Sequence, residues 1–257
     1  MAEQITSAQN PKIKQLVALQ QKSSERRDKG LFVVEGQREV EHCLEAGFEL
    51  DTAFICPEIF HGKRPGCRIV EVPAVLYDKI AYRGGTEGII AEVRSKALSL
   101  QDLKLSENPL IMVLESVEKP GNLGAVLRSA DAAGADAVII CDPLTDLYNP
   151  NLIRASIGAI FSRQVVACSS GEAIQWLKNK GIRIYTAQLQ DSSWYYDTDM
   201  RGATAIVMGT ESTGLTPLWR MEADAHIRIP MLGALDSLNV SVSAAILLFE
   251  AVRQRNA

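Results

Sequence analysis

The sequence predicts an α/β protein in two parts. A small amino-terminal α/β domain spans residues 1–95, a linker 96–108, and a larger domain on a parallel sheet 109–257. Three observations lead there. The 257 residues suffice for one large or two ordinary domains whose cores need no disulfide or metal. Hydrophobic residues at 47% and charged residues at 23% match an average soluble globular chain, with no bias towards disorder or fibrous repeats. Strand and helix patterns alternate, weakly at first and strongly beyond the polar stretch Ser95 to Pro109, which lacks a sustained apolar period.

In chain order, Ile13, Leu16, Val17 and Leu19-Gln20 set a helical apolar stripe, and Ser23-Ser24 through Gly30 reads as a loop. Leu31 to Glu35 is a strand and Gln37 to Ala46 a helix capped by Gly47; short strands follow at Ala53 to Cys56, Arg68 to Val72 and Gly88 to Val93. Beyond the linker, a strand at Leu110 to Glu115, a helix at Leu123 to Ala133 and a strand at Ala137 to Cys141 form a βαβ unit, which implies parallel pairing. The pattern continues with a helix around Leu152 to Ile160, a strand at Val165 to Cys168, a helix at Glu172 to Asn179, and strands at Ile182 to Ala187 and Ala203 to Met208. The last helix, Val240 to Arg255, aligns Val240, Ala244, Leu247, Leu248 and Ala251 on one face.

Composition narrows the function. With 27 Lys and Arg against 31 Asp and Glu, the net charge of −4 creates no overall field for nucleic acid, so such a role needs a local patch. The most basic stretch carries Lys12, Lys14, Lys22, Arg26, Arg27 and Lys29 against Glu25 and Asp28; taken alone, it is equally a solvated helix face. The five cysteines form no C-x-x-C pair and the three histidines lie at no zinc-finger spacing, so reduced, mostly buried thiols and no metal are expected. Met1-Ala2-Glu3-Gln4 does not open a basic-then-apolar leader, and no window approaches ~18 uninterrupted apolar residues, so a cytoplasmic protein without a membrane partner is expected. Neither G-x-G-x-x-G nor G-x-x-x-x-G-K-[ST] occurs, and the loop after Leu110 to Glu115 offers only Gly121-x-x-Gly124, which disfavours an ordinary dinucleotide site. The lack of G-x-S-x-G counts against an α/β-hydrolase.

Three polar clusters remain. In Pro120-Gly121-Asn122-Leu123-Gly124-Ala125-Val126-Leu127-Arg128, Asn122 can cap a helix starting at Leu123. Arg128, a turn and a half in, is either a solvated side chain or a phosphate contact. In Met208-Gly209-Thr210-Glu211-Ser212-Thr213-Gly214, a strand runs into a glycine-flanked turn whose carboxylate is either merely exposed or placed where open α/β sheets bind ligands. In Ile229-Pro230-Met231-Leu232-Gly233 and Ser237-Leu238-Asn239-Val240-Ser241, the polar residues either cap the last helix or face a pocket.

Together, in this order and spacing, the clusters resemble the three motifs of the TrmH (SpoU) family of RNA ribose 2′-O-methyltransferases, in the SPOUT superfamily, from about Leu110 to the carboxy terminus. Ser7 to Glu49, notably Asn10-Pro11-Lys12-Ile13-Lys14 and Phe32-Val33-Val34-Glu35-Gly36, resembles the amino-terminal substrate-binding region of one branch of that family. The resemblance implies a trefoil knot, which periodicity alone cannot reveal. It also implies S-adenosylmethionine (AdoMet) as methyl donor, an RNA substrate and a homodimer whose sites draw on both chains. By motif position, Gly209, Ile229 and Leu238 contact the cofactor, with Met231 and Gly233 nearby. Arg128 is then the key catalytic residue, with Asn122, Glu211, Ser237 and Asn239 arranging the site. Arginine stays protonated, so Arg128 is expected to grip a backbone phosphate and orient the 2′-hydroxyl rather than act as a literal base.

Two positions depart from the family pattern. Lys119 replaces an acidic residue frequent before Pro-Gly-Asn, with Glu118 adjacent; Ala187 stands where many relatives carry a Thr near the cofactor, leaving its backbone to contribute. For RNA contact, Lys12, Lys14, Arg26 and Arg27 are the candidates. Trp176, Trp194 and Trp219 are able to stack on RNA bases but read as packing or dimer contacts. Ribosomal RNA, 23S in particular, is the preferred substrate and transfer RNA the runner-up. A non-catalytic RNA-binding protein of the same fold is the main rival, but it would be expected to lose Arg128 or the cofactor-loop glycines, and all are present.

Overall fold

Every residue of the strand Leu110–Glu115 is buried, as a strand covered by helices on both faces must be. The same holds for Ala137–Cys141 and Thr204–Met208, and these runs form the middle of a seven-stranded, wholly parallel sheet. The computed structural model describes residues 2–82, 87–96, 98–162, 164–209 and 214–256. It divides into two compact units, Met1–Lys96 with Asp146–Arg154, and Ala97–Thr145 with Ala155–Ala257.

The first unit runs β1 (Glu3–Gln4), α1 (Pro11–Gln21), α2 (Ser23–Lys29), β2 (Leu31–Glu35), α3 (Gln37–Glu45), β3 (Leu50–Ile55), β4 (Arg68–Glu71), α4 (Ala74–Ile80) and β5 (Ile89–Arg94). Its mixed sheet has the order β1-β4-β3-β5-β2. Ile13, Leu16 and Leu19 of α1 and Tyr77 of α4 pack on Val33, Phe54, Val70 and Ile90. The stretch expected to be a loop at Ser23 to Gly30 is helix α2 instead. Glu25 in its first turn, Arg26, Arg27 and Lys29 in its last, and Gly30 at φ +62° supply the charges and the left-handed stop that a short helix needs.

The second unit contains β6 (Leu110–Glu115), α5 (Pro120–Ala132), β7 (Ala137–Cys141), the end of α6 (Pro150–Ser156), α7 (Ala159–Ser162), β8 (Gln164–Cys168), α8 (Ser170–Asn179), β9 (Arg183–Ala187), β10 (Ser193–Trp194), β11 (Thr204–Met208), α9 (Pro217–Glu222), β12 (Ala225–Arg228) and α10 (Val240–Arg255). The strand order is β10-β12-β9-β11-β6-β7-β8. Trp176 and Leu177 of α8 and Trp219 of α9 cover one face, against Ile111, Val113, Ile139 and Val207. On the other face α5 and α10 pack together and against β6, β7 and β11. The helix expected at Leu152 to Ile160 is split into α6 and α7 by Ile157 and Gly158, both at positive φ. Gly124 has a packing reason: a Cβ there would lie 2.4 Å from Ala155 Cβ and 2.7 Å from Ser156 N, so only glycine lets α5 approach the end of α6 this closely.

Candidate active site

Because β6, β9, β11 and β12 are parallel neighbours, their carboxyl ends share one edge of the sheet. That edge collects Ala187 at the end of β9, Gly209 after β11, Ile229 after β12 and the loop from β6 into α5. Ala187 stands opposite Ile227 in the ladder, and Gln188 N donates to Ile227 O at 3.0 Å. Thr186, the preceding residue, is fully buried with its hydroxyl 2.6 Å from His226 Nδ1. On a strand it points away from Ala187's face and does not replace the missing hydroxyl.

The helix carrying the first cluster begins at Pro120, with Lys119 as its cap, rather than at Leu123 with Asn122 as cap. Proline suits the first helical position because its absent N–H is not needed there. Asn122 lies instead in the first turn, where its Oδ1 accepts from Asn239 Nδ2 at 3.1 Å. Asn239 also caps α10: its Oδ1 accepts from Ser241 N at 2.9 Å and Ser241 Oγ at 2.7 Å. The first and third clusters thus meet through a side-chain amide pair spanning 117 positions. Arg128 lies about two turns along α5, by ~1.5 Å of rise per residue, and its side chain is exposed.

The cofactor candidates on the third cluster, and Ser237 from the catalytic set, are accessible. Ile229 and Met231 are half-buried, while Gly233, Ser237 and Leu238 are exposed. Gly209 packs backbone to backbone on the returning loop: a Cβ there would lie 2.7 Å from Leu215 N. Glu211 falls outside the described residues. Beside Ala187, Gln188 Oε1 is buried without a hydrogen-bond partner among the described residues. Among the described residues no group of His, Cys, Asp or Glu could hold a metal ion.

Residues 109–249 match the SpoU rRNA Methylase family, more than half of the chain. The chain belongs to that family. Residues 10–91 match the MRM3-like substrate binding domain. The 23S rRNA (guanosine-2′-O-)-methyltransferase RlmB of Photobacterium profundum is 41% identical over 184 residues, covering 69% of this chain and 75% of that protein. A crystal structure of an RNA 2′-O ribose methyltransferase matches at 40% identity with TM-score 0.84, covering 99% of this chain and 100% of that one. The AdoMet-bound rRNA methyltransferase from Sinorhizobium meliloti matches at 28% identity with TM-score 0.90, covering 98% of each chain. The fold is thus the SPOUT fold of SpoU methylases behind a substrate-binding domain.

For a SpoU methylase, the candidate RNA contacts in the first unit divide. Lys14 and Arg27 are exposed, and Lys12 is paired with Glu3 at the surface. Arg26 is a correction: at 5% exposed it is no surface phosphate contact. Its Nε donates to Asp146 Oδ2 at 2.5 Å and its Nη1 to Leu19 O at 2.6 Å, so it stitches α1 and α2 to the segment Asp146–Arg154. In that segment the Tyr148 ring stacks on Phe32 with centroids 4.2 Å apart. Trp176 and Trp219 are buried, and Trp194 lies under the Arg228 guanidinium, 4.3 Å from its centroid. Sequence reasoning missed Gln188 and the Asn122–Asn239 contact; a polar residue directly after a strand of a parallel sheet is the signal that points to the first.

Proposed function

We propose that this protein transfers the methyl group of AdoMet to a ribose 2′-hydroxyl of 23S ribosomal RNA, with transfer RNA as the runner-up substrate. SpoU methylases are AdoMet-dependent RNA 2′-O-methyltransferases, and this chain is an enzyme of that kind. The observation that carries the reading is the Asn239–Asn122 contact, which joins the loop before α10 to the start of α5 on the edge that also holds Ala187, Gly209 and Ile229.

The residues present fit AdoMet. The unmatched Gln188 acceptor suits a ligand rich in amino groups, and Leu238 offers an accessible apolar surface for adenine. In this reading the backbones of Gly209, Ile229, Met231, Gly233 and Ala187, with Leu238, hold the cofactor, which supplies an electrophilic methyl group on sulfonium. The protein's own work is positioning, because an in-line displacement needs the attacking oxygen about 3 Å from the carbon. Arg128, permanently charged and exposed, grips an RNA phosphate and orients the 2′-hydroxyl, and that phosphate takes the proton. Asn122 and Asn239 fix the two loops against each other, and Ser237 and Glu211 complete the substrate side.

Three further features belong to this reading. The carboxy-terminal segment is threaded as a trefoil knot, supported by the path from β12, outside β9, back to α10 against α5. The enzyme is a cytoplasmic homodimer; among the described residues no helix is long and apolar enough to cross a membrane. It uses no metal. The test is Arg128→Ala: turnover should fall at least about 100-fold while AdoMet affinity stays within about threefold and RNA affinity falls by about tenfold at most, the share of one phosphate contact among several. Near-normal turnover would remove Arg128 from the mechanism. Mapping 2′-O-methyl groups in RNA from cells with and without the gene identifies the substrate.

A further inference from the structure

Glu115, the last residue of β6, is only 2% exposed, and among the described residues no cation lies within ion-pair distance of it. A buried carboxylate without a cation is costly unless its oxygens are well served by hydrogen bonds. Here Oε2 accepts from Thr216 N at 2.8 Å, and Oε1 accepts from Thr216 Oγ1 at 2.7 Å and from Ser170 Oγ at 3.2 Å. Ser170 has one hydroxyl proton, and its closer acceptor is Asp142 Oδ2 at 2.6 Å; its oxygen in turn accepts from Trp219 Nε1 at 2.9 Å. The strong bonds to Glu115 therefore both come from Thr216.

Thr216 follows Gly214 and Leu215, the backbone that returns from the loop after β11 and lies against Gly209 so closely that no Cβ fits between. We propose that Glu115 is a positioning residue for methyl transfer, holding this returning limb at Thr216 so that Gly209 keeps the place from which it contacts the cofactor. The proposal rests on the AdoMet reading above. Glu115 touches no substrate atom; it acts through Thr216. Replacing it with a side chain that accepts nothing would leave the N–H of Thr216, itself an exposed residue, without its acceptor, and the limb would turn that N–H to water instead of to β6. The effect should therefore fall on cofactor affinity and leave RNA affinity alone.

The test compares Glu115→Ala, Glu115→Gln and Thr216→Val in the full-length chain. The readouts are AdoMet affinity by calorimetry, RNA affinity by filter binding, the KM for each substrate, and folding by circular dichroism. Glu115→Ala should weaken AdoMet binding and raise its KM at least tenfold, with RNA affinity and the RNA KM within twofold. Glu115→Gln keeps an oxygen for Thr216 N and should recover most of the loss; Thr216→Val, which removes one of the two bonds, should cost about threefold. A folded Glu115→Ala with AdoMet affinity within twofold of the unaltered protein overturns the assignment. If Glu115→Ala does not fold, Thr216→Val decides, and unchanged AdoMet affinity there overturns it equally. No AdoMet binding by the unaltered protein would instead sink the methyl-donor reading, and the proposal with it.

Discussion

Asn239 shows why a single polar residue before a helix is ambiguous from sequence. Its oxygen caps α10, one of the two roles open to it in the sequence, while its nitrogen reaches Asn122, a contact neither role specifies. An amide can serve both because donor and acceptor sit on one planar group. Glu92 is the opposite case, a titratable group with no place in the chemistry. It is 3% exposed on β5; Gln15 Nε2 donates to its Oε2 at 3.1 Å and its Oε1 has no partner among the described residues. Burial pushes its carboxyl up to about 7, against the Gln15 hydrogen bond, which lowers it. The ordinary value is 4.5, so between there and about 7 the folded state binds more protons than the unfolded one, and stability falls as pH rises through that window. Glu92→Gln removes the titration. It should raise the melting temperature by several degrees at pH 8 and leave it nearly unchanged at pH 5. Thermal unfolding at both pH values checks this, and an equal shift at both would rule out the titration.

At the scale of elements, α1 and α2 show how burial sorts a basic stretch into two kinds of residue. Arg26 points inward to Asp146 and to the carbonyl of Leu19, whereas Lys14 and Arg27 stay in solvent. Only the outer residues can release counterions from an RNA backbone. Lys14→Ala with Arg27→Ala should therefore lower the slope of log affinity against log salt by about one unit or more, without unfolding the protein. Arg26→Ala should destabilise the first unit instead, because it leaves a partly buried Asp146 without its cation. An unchanged slope in the double variant would take Lys14 and Arg27 off the RNA path. Elements such as β6, β7 and α10 are legible to the residue because a strand buried on both faces is an unbroken apolar run and a long helix repeats its stripe several times. The short α4, α9, β10 and β12 are not, since their few residues carry too little period, and α2 has no apolar residue at all. Within the site, the glycine and asparagine positions are legible as motifs. The Glu115–Thr216 anchor is not, because a carboxylate at a strand end looks the same in sequence whether water or a backbone N–H faces it.

For the whole molecule, α10 presents apolar residues on two sides. Its inner face, with Ala244, Leu247, Leu248 and Ala251, is buried and α10 packs on α5, but Val242 at 47% and Phe249 at 48% exposure stand on the outside seven residues apart, on one stripe. Leu238, at 42%, and Leu235, at 78%, extend the apolar surface into the loop before the helix. A helix apolar on both sides suits a covered outer face rather than an open one. A second copy suits it, since a two-fold pairing lets one stripe meet its own equivalent and needs no other partner. It would also bring the loop carrying Leu238 and Asn239 next to the partner, as a site drawing on both chains requires. Light scattering of the purified protein should give twice the chain mass of 28.1 kDa. Val242→Asp with Phe249→Asp places two charges on each copy of the stripe without touching the inner face, and should shift the mass to that of one chain and cut turnover together. A monomeric mass for the unaltered protein, or a double variant that stays dimeric, would show that this face is not where two chains meet.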